Sequence, residues 1–177
     1  MKRYWIAIVA GGILTGLLVA KESPELNHRQ KSLGGIEAVY VLVEELSAEA
    51  RQAGLSEKQL QTEVAKRLEQ EGIKVVTSQE KWLTIPGRPY LYIKNTTQKL
   101  SNTPIYISTT YIKFDQEVLL ARDPNITTRA VTWETERQGI VGDKVFAEST
   151  LRVAGELVQQ FIDIVLALLK PREFVCR

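Results

Sequence analysis

The clearest pattern along the chain is at its start. Residues 4–20 form an uncharged, mostly apolar run with Lys2 and Arg3 before it and Lys21 and Glu22 after it. Positive charges ahead of an apolar stretch are the pattern of a secretory signal. The run also reaches the lower limit of about 17 residues for a membrane-spanning helix. Leu18 stands where a signal cleaved after Ala20 prefers a small residue. Residues 1–20 are therefore expected to be an uncleaved anchor, with cleavage as the alternative. The positive-inside rule keeps the N-terminus cytoplasmic and puts the remainder outside the inner membrane, or in the periplasm or medium after cleavage. Residues 21–35 (KESPELNHRQKSLGG) are polar, contain Pro24 and end in two glycines, which predicts a flexible tether.

Residues 36–170 are expected to form a single domain, with 171–177 as a C-terminal tail. Residues 36–46 carry β-branched and apolar side chains at both alternating positions, as in a central strand covered on both faces. A helix follows. Ser56 and Gln59 have capping-box spacing, Leu60, Val64 and Leu68 repeat along one face, and Gly72 supplies a left-handed ending with Ile73 set against Leu68. Residues 73–76 begin a second strand, Pro86-Gly87 mark a turn, and 90–97 read as a third strand. In 105–121 the apolar positions shift from odd (Ile105, Ile107) to even (Ile112, Phe114), which predicts a bulge near 108–110. After the Asp123-Pro124-Asn125 turn, 127–138 make a further strand. Residues 145–169 form a long helix, apolar nearly all round towards its end.

This order predicts an α+β fold, β-α-β-β-β-β-α. It is a two-layer sandwich whose mixed, mostly antiparallel sheet of about five strands is packed by two helices. The opening strand-helix-strand unit is a right-handed crossover that makes its strands parallel. The other three strands form an antiparallel meander.

Composition narrows the chemistry. Lys plus Arg number 23 against 21 Asp plus Glu, so without Lys2 and Arg3 the balance is 21 to 21, and no nucleic-acid footprint is expected. The single cysteine, Cys176, permits no intrachain disulfide, and the single histidine, His28, lies in the expected tether. No Walker or dinucleotide loop is present, and neither cofactor nor metal is expected. A carboxylate hydrolase would have to use Glu134 and Glu136, which share a strand face. Their expected role is a solvated face or cross-strand partnership with Lys and Arg.

The leader, GLSEKQLQTEVAKRLEQEGIKV, the strand meander and ELVQQFIDIVLALL together resemble uncharacterised exported bacterial proteins. The arrangement is similar to small α/β domains of envelope accessory proteins such as the N-terminal domain of the TolB family. The resemblance implies an envelope module that works by docking and implies no catalytic residue. The leading expectation is thus a non-enzymatic extracytoplasmic module. It would bind an envelope protein, or a second copy of itself, through a sheet edge or through Phe161, Val165 and Leu168 on the last helix. The alternative is a glycan or lipid binder using Trp82, Tyr90 and Tyr92.

Overall fold

The computed structural model describes residues 26–169. The expected leader and tail, with Cys176, lie outside these residues. The elements run α1 (His28–Lys31), β1 (Ala38–Val43), α2 (Ala48–Gln52), α3 (Glu57–Gln70), β2 (Lys74–Val76), α4 (Gln79–Leu83), β3 (Tyr90–Lys99), β4 (Ile105–Leu120), β5 (Asp123–Gly142) and α5 (Phe146–Leu169). The five strands form one sheet in the order β2-β1-β3-β4-β5. β1 is parallel to both β2 and β3, and β3-β4-β5 is the antiparallel meander. The fold is α+β, with helices on a five-stranded mixed sheet.

Local chemistry explains the helix ends. Ser56 accepts from the Gln59 backbone N–H while the Gln59 side chain accepts from the Ser56 N–H, so two otherwise unpaired amides are satisfied at the start of α3. Gly72 at φ 81° ends that helix, and the Ile73 N–H closes on the Leu68 carbonyl at 2.9 Å. The Pro86-Gly87 turn forms as expected, with Arg88 N–H bonded to Ile85 O at 3.0 Å and Gly87 at φ 74°.

α3 and α5 cover one face of the sheet. Leu60, Val64 and Leu68 of α3 and Phe161, Ile162 and Val165 of α5 meet Val41, Leu91, Ile93, Ile112 and Phe114 in the core. Phe161 lies between Phe114 and Trp133, with ring centroids 5.3 and 5.5 Å away. Gly155 lets Arg67 cross between the two helices; an added Cβ would stand 2.4 Å from its guanidinium. At the β5 side, Arg137 and Arg152 both bind Glu156 and hold its carboxyl below the usual range, Arg137 having the larger effect.

Several expectations are corrected. The part of the expected tether that the structure describes is ordered into a turn of helix. Asn27 and Gln30 form a capping box on α1, and Leu33 is fully buried in the core. The long strand keeps one facing parity throughout its buried stretch: Tyr106, Ser108, Thr110, Ile112 and Phe114 all face the helices. The polar pair is accommodated because Asn95 Nδ2 donates to Ser108 Oγ at 2.9 Å and to Thr110 Oγ1 at 3.1 Å, while Thr97 Oγ1 donates to Asn95 Oδ1 at 2.6 Å. The register shifts fall instead at 114/115 and 119/120. β1 is central but covered mainly on one side, since Leu42 is 40% exposed on the other.

Candidate functional site

The sheet face opposite α3 and α5 carries a band of aromatic and charged side chains. Strand alternation puts Tyr40 and Leu42 of β1 and Tyr90, Tyr92 and Lys94 of β3 on this face. The parallel register sets Tyr40 beside Tyr90 and Leu42 beside Tyr92. α4 lies against the same face and adds Trp82, whose ring centroid is 6.2 Å from those of both Tyr40 and Tyr90.

The cluster is held from behind. Trp82 Nε1 donates to the Pro89 carbonyl at 3.1 Å, which fixes the indole plane and uses its one polar atom. Arg129 of β5 reaches across β4, and its guanidinium carbon sits 4.8 Å from the Tyr90 ring centroid and 5.5 Å from that of Trp82. Asp115 of β4 anchors that guanidinium through Nε at 2.7 Å and Nη2 at 2.6 Å, and Nη2 also donates to Arg88 O at 3.1 Å. Among the described residues, nothing hydrogen-bonds to Nη1. Together Tyr40, Leu42, Gln79, Trp82, Tyr90 and Arg129 line a groove of about 430 Å³, within the size range of small-ligand sites.

Two of the three aromatic residues singled out from sequence therefore meet in one place. Tyr92 belongs to a neighbouring contact: its hydroxyl donates to Glu44, which also binds Lys94 Nζ at 3.1 Å. Sequence reasoning missed Tyr40, Gln79 and Arg129. The alternation of Tyr40 and Leu42 with Val39 and Val41 is the local signal for the first; Arg129 is brought in by strand pairing and leaves no local signal.

Other candidates fare differently. Phe161 and Val165 are buried and Leu168 packs half-buried against the core, so the apolar face of α5 is consumed inside the domain. Glu134 and Glu136 do share the open face, where Glu134 binds Arg29 at 3.2 Å and lies opposite Lys113 in register. They line a recess of about 440 Å³ with Tyr111, Lys113 and Thr135. A larger recess of about 610 Å³ separates α3 from the short edge strand β2. Its lining mixes Gln61, Lys66, Glu69 and Gln70 with the small apolar chains of Ala65, Val75 and Val76, and holds no aromatic ring. The opposite edge belongs to β5, a strand of 20 residues.

No protein-family model and no curated protein sequence matches the chain. Among solved structures it is similar to the PelC dodecamer from Paraburkholderia phytofirmans, at 9% identity over 70% of this chain and 85% of that one, with a TM-score of 0.43. It is also similar to the hypothetical protein CT253 from Chlamydia trachomatis, at 12% identity over 73% and 98% of the two chains and a TM-score of 0.43. A minor lipoprotein from Acinetobacter baumannii matches at 12% identity over 72% and 91%, with a TM-score of 0.32. Likeness of this degree assigns no function, and these matches supply no link to the TolB family.

Proposed function

We propose that the protein is a non-enzymatic extracytoplasmic binding module, held at a membrane by residues 4–20, whose open sheet face takes a sugar ring in the groove beside Trp82. The observation that carries this reading is the pre-set aromatic platform. Tyr40, Trp82 and Tyr90 converge on one groove, with the indole tied to Pro89 O and the bordering guanidinium tied to Asp115. A platform fixed before binding spends little ordering entropy when it binds. The C–H face of a pyranose suits such rings, while the Gln79 amide and Arg129 Nη1 offer partners to its hydroxyls. An acyl chain in the same groove would leave those groups unpaired, which favours the glycan over the lipid alternative.

The test is a screen of cell-envelope glycans by titration calorimetry, repeated with Trp82→Leu and Tyr90→Leu proteins whose thermal unfolding shows them folded. A saturable ligand whose affinity falls at least tenfold in both variants supports the reading. Binding unchanged in both, or no binding glycan in the screen, refutes it.

A second reading has its own observation: β5 offers a long outer edge to an added strand. Neighbouring residues direct their N–H groups to opposite sides, so of Gln138→Pro and Gly139→Pro one removes an outward donor and one a bond to β4. Photocrosslinks from position 140 to a partner should vanish in the outward variant while it stays folded. Crosslinks surviving in both variants would overturn strand addition.

A further inference from the structure

Beyond the end of β3, where Tyr90 pairs with Asp115, β4 and β5 continue as a two-stranded arm. Its pairs run from Gln116↔Ala130 to Leu119↔Thr127 and close through Leu120↔Asp123. The 87–88 turn braces its root, with Glu117 N–H on Gly87 O at 2.7 Å and Arg88 paired to Glu117 at 3.2 Å. Past that brace the arm reaches roughly 13 Å at about 3.3 Å per residue. Its tip carries Leu119, 63% exposed, and Ile126, 45% exposed, on either side of Arg122.

The two ends of the described chain lie at the same pole of the molecule. α1 sits against the arm's root, since Gln116 Nε2 donates to Ser32 O at 3.2 Å and Arg29 binds Glu134. α5 reaches the level of Phe114 and Trp133 at Phe161, then runs about 12 Å further in the same direction to Leu169. Among the described residues, four of the eight exposed large hydrophobic side chains, Leu119, Ile126, Val131 and Leu169, therefore cluster at this pole. Only six peptide steps separate Ala20 from Leu26. Fully extended they span roughly 20 Å, so a bilayer holding residues 4–20 lies close to the arm's root.

We propose that the β4–β5 arm is a second membrane contact: its tip enters the interface of the same bilayer, with Leu119 and Ile126 among the lipid chains and Arg122 at the phosphates. The proposal rests on the tether reading above. The sequence places an apolar anchor within one short linker of this pole, and the arm's reach covers most of the remaining gap. Arginine at such a depth keeps its charged head at the headgroups while its stem lies along apolar surface.

The test uses the full-length chain with Cys176→Ser, reconstituted in phosphatidylcholine vesicles carrying nitroxide-labelled acyl chains. Single cysteines at Leu119→Cys, Ile126→Cys, Ile140→Cys and Ile8→Cys are labelled with an environment-sensitive fluorophore. Ile140 lies near the other end of β5 and is 76% exposed, so it is the control for the far pole. Because the labelled sites in the arm are exposed, folding is checked simply by the melting temperature. The expected result is quenching at 119 and 126 several-fold above that at 140, with position 8 quenched as well. Position 8 quenched while 119 and 126 match 140 would overturn the arm contact and leave the tether standing. Position 8 unquenched would overturn the tether, and the arm proposal with it.

Discussion

Replacing Phe161 by alanine tests whether the last helix is core or docking surface. The side chain is fully buried and packs on the rings of Phe114 and Trp133. Buried Phe→Ala changes cost about 3–5 kcal/mol through lost transfer energy and the cavity left behind. Loss of the two aromatic contacts, each about 0.5–1.5 kcal/mol beyond area burial, favours the upper part of that range. At about 3 °C per kcal/mol for a domain of this size, the melting temperature should fall by roughly 10–15 °C. Differential scanning calorimetry of the full chain reads the shift. Leu169→Ala is the control: that residue is 57% exposed on the same helix, and its replacement should cost less than about 0.5 kcal/mol. Equal, small shifts in the two variants would refute the burial of α5 and restore Phe161 as a candidate anchor.

Three further outcomes follow from particular contacts. Asn95→Ala removes the hub of the buried network and leaves Thr97, Ser108 and Thr110 short of partners; urea unfolding should show a loss of about 1–3 kcal/mol. The Glu57 carboxyl is held below its usual range, first by the Leu46 backbone N–H and further by Arg51. A carboxyl lowered in the folded state contributes stability above its unfolded pKa and loses it as pH falls through the folded pKa. The urea midpoint should therefore drop on acidification through and below the ordinary carboxylate range, and less steeply in Glu57→Gln. At Gly155, alanine should displace only the flexible end of Arg67 and change stability by less than about 1 kcal/mol, helped by helix propensity. Leucine should cost about 1–3 kcal/mol by overpacking the α3–α5 contact, and thermal unfolding separates the two.

The parts of the fold written in short-range chemistry were legible. The Ser56 cap, the Gly72 ending and the Leu60-Val64-Leu68 spacing define α3 within one stretch of chain, and the turn at Pro86-Gly87 needs no distant partner. α1, α2 and α4 escaped because each is a helix of one turn or little more, dependent on its Asn27, Ser47 or Ser78 cap and on the surface beneath it. Such elements have no hydrophobic period to detect. Apolar character alone misplaces the facing of β4, because Ser108 and Thr110 are buried by hydrogen bonding to Asn95 and Ile107 lies on the other face. Trp82 and Tyr90 stood out as aromatic residues, but their convergence with Tyr40 and Arg129 depends on parallel pairing of β1 with β3 and on β5 reaching over β4. Those are long-range contacts with no local signature.

The central claim is that the groove beside Trp82 is the binding site, and the indole N–H resonances report on it most directly. In a uniformly nitrogen-15-labelled full-length protein, Trp82→Phe and Trp5→Phe identify two of the three indole resonances, and the remaining one, from Trp133 buried against Phe161, supplies an internal reference. The account predicts that addition of a binding oligosaccharide moves the Trp82 resonance saturably and leaves Trp133 in place. A saturable ligand that leaves Trp82 unmoved would contradict it.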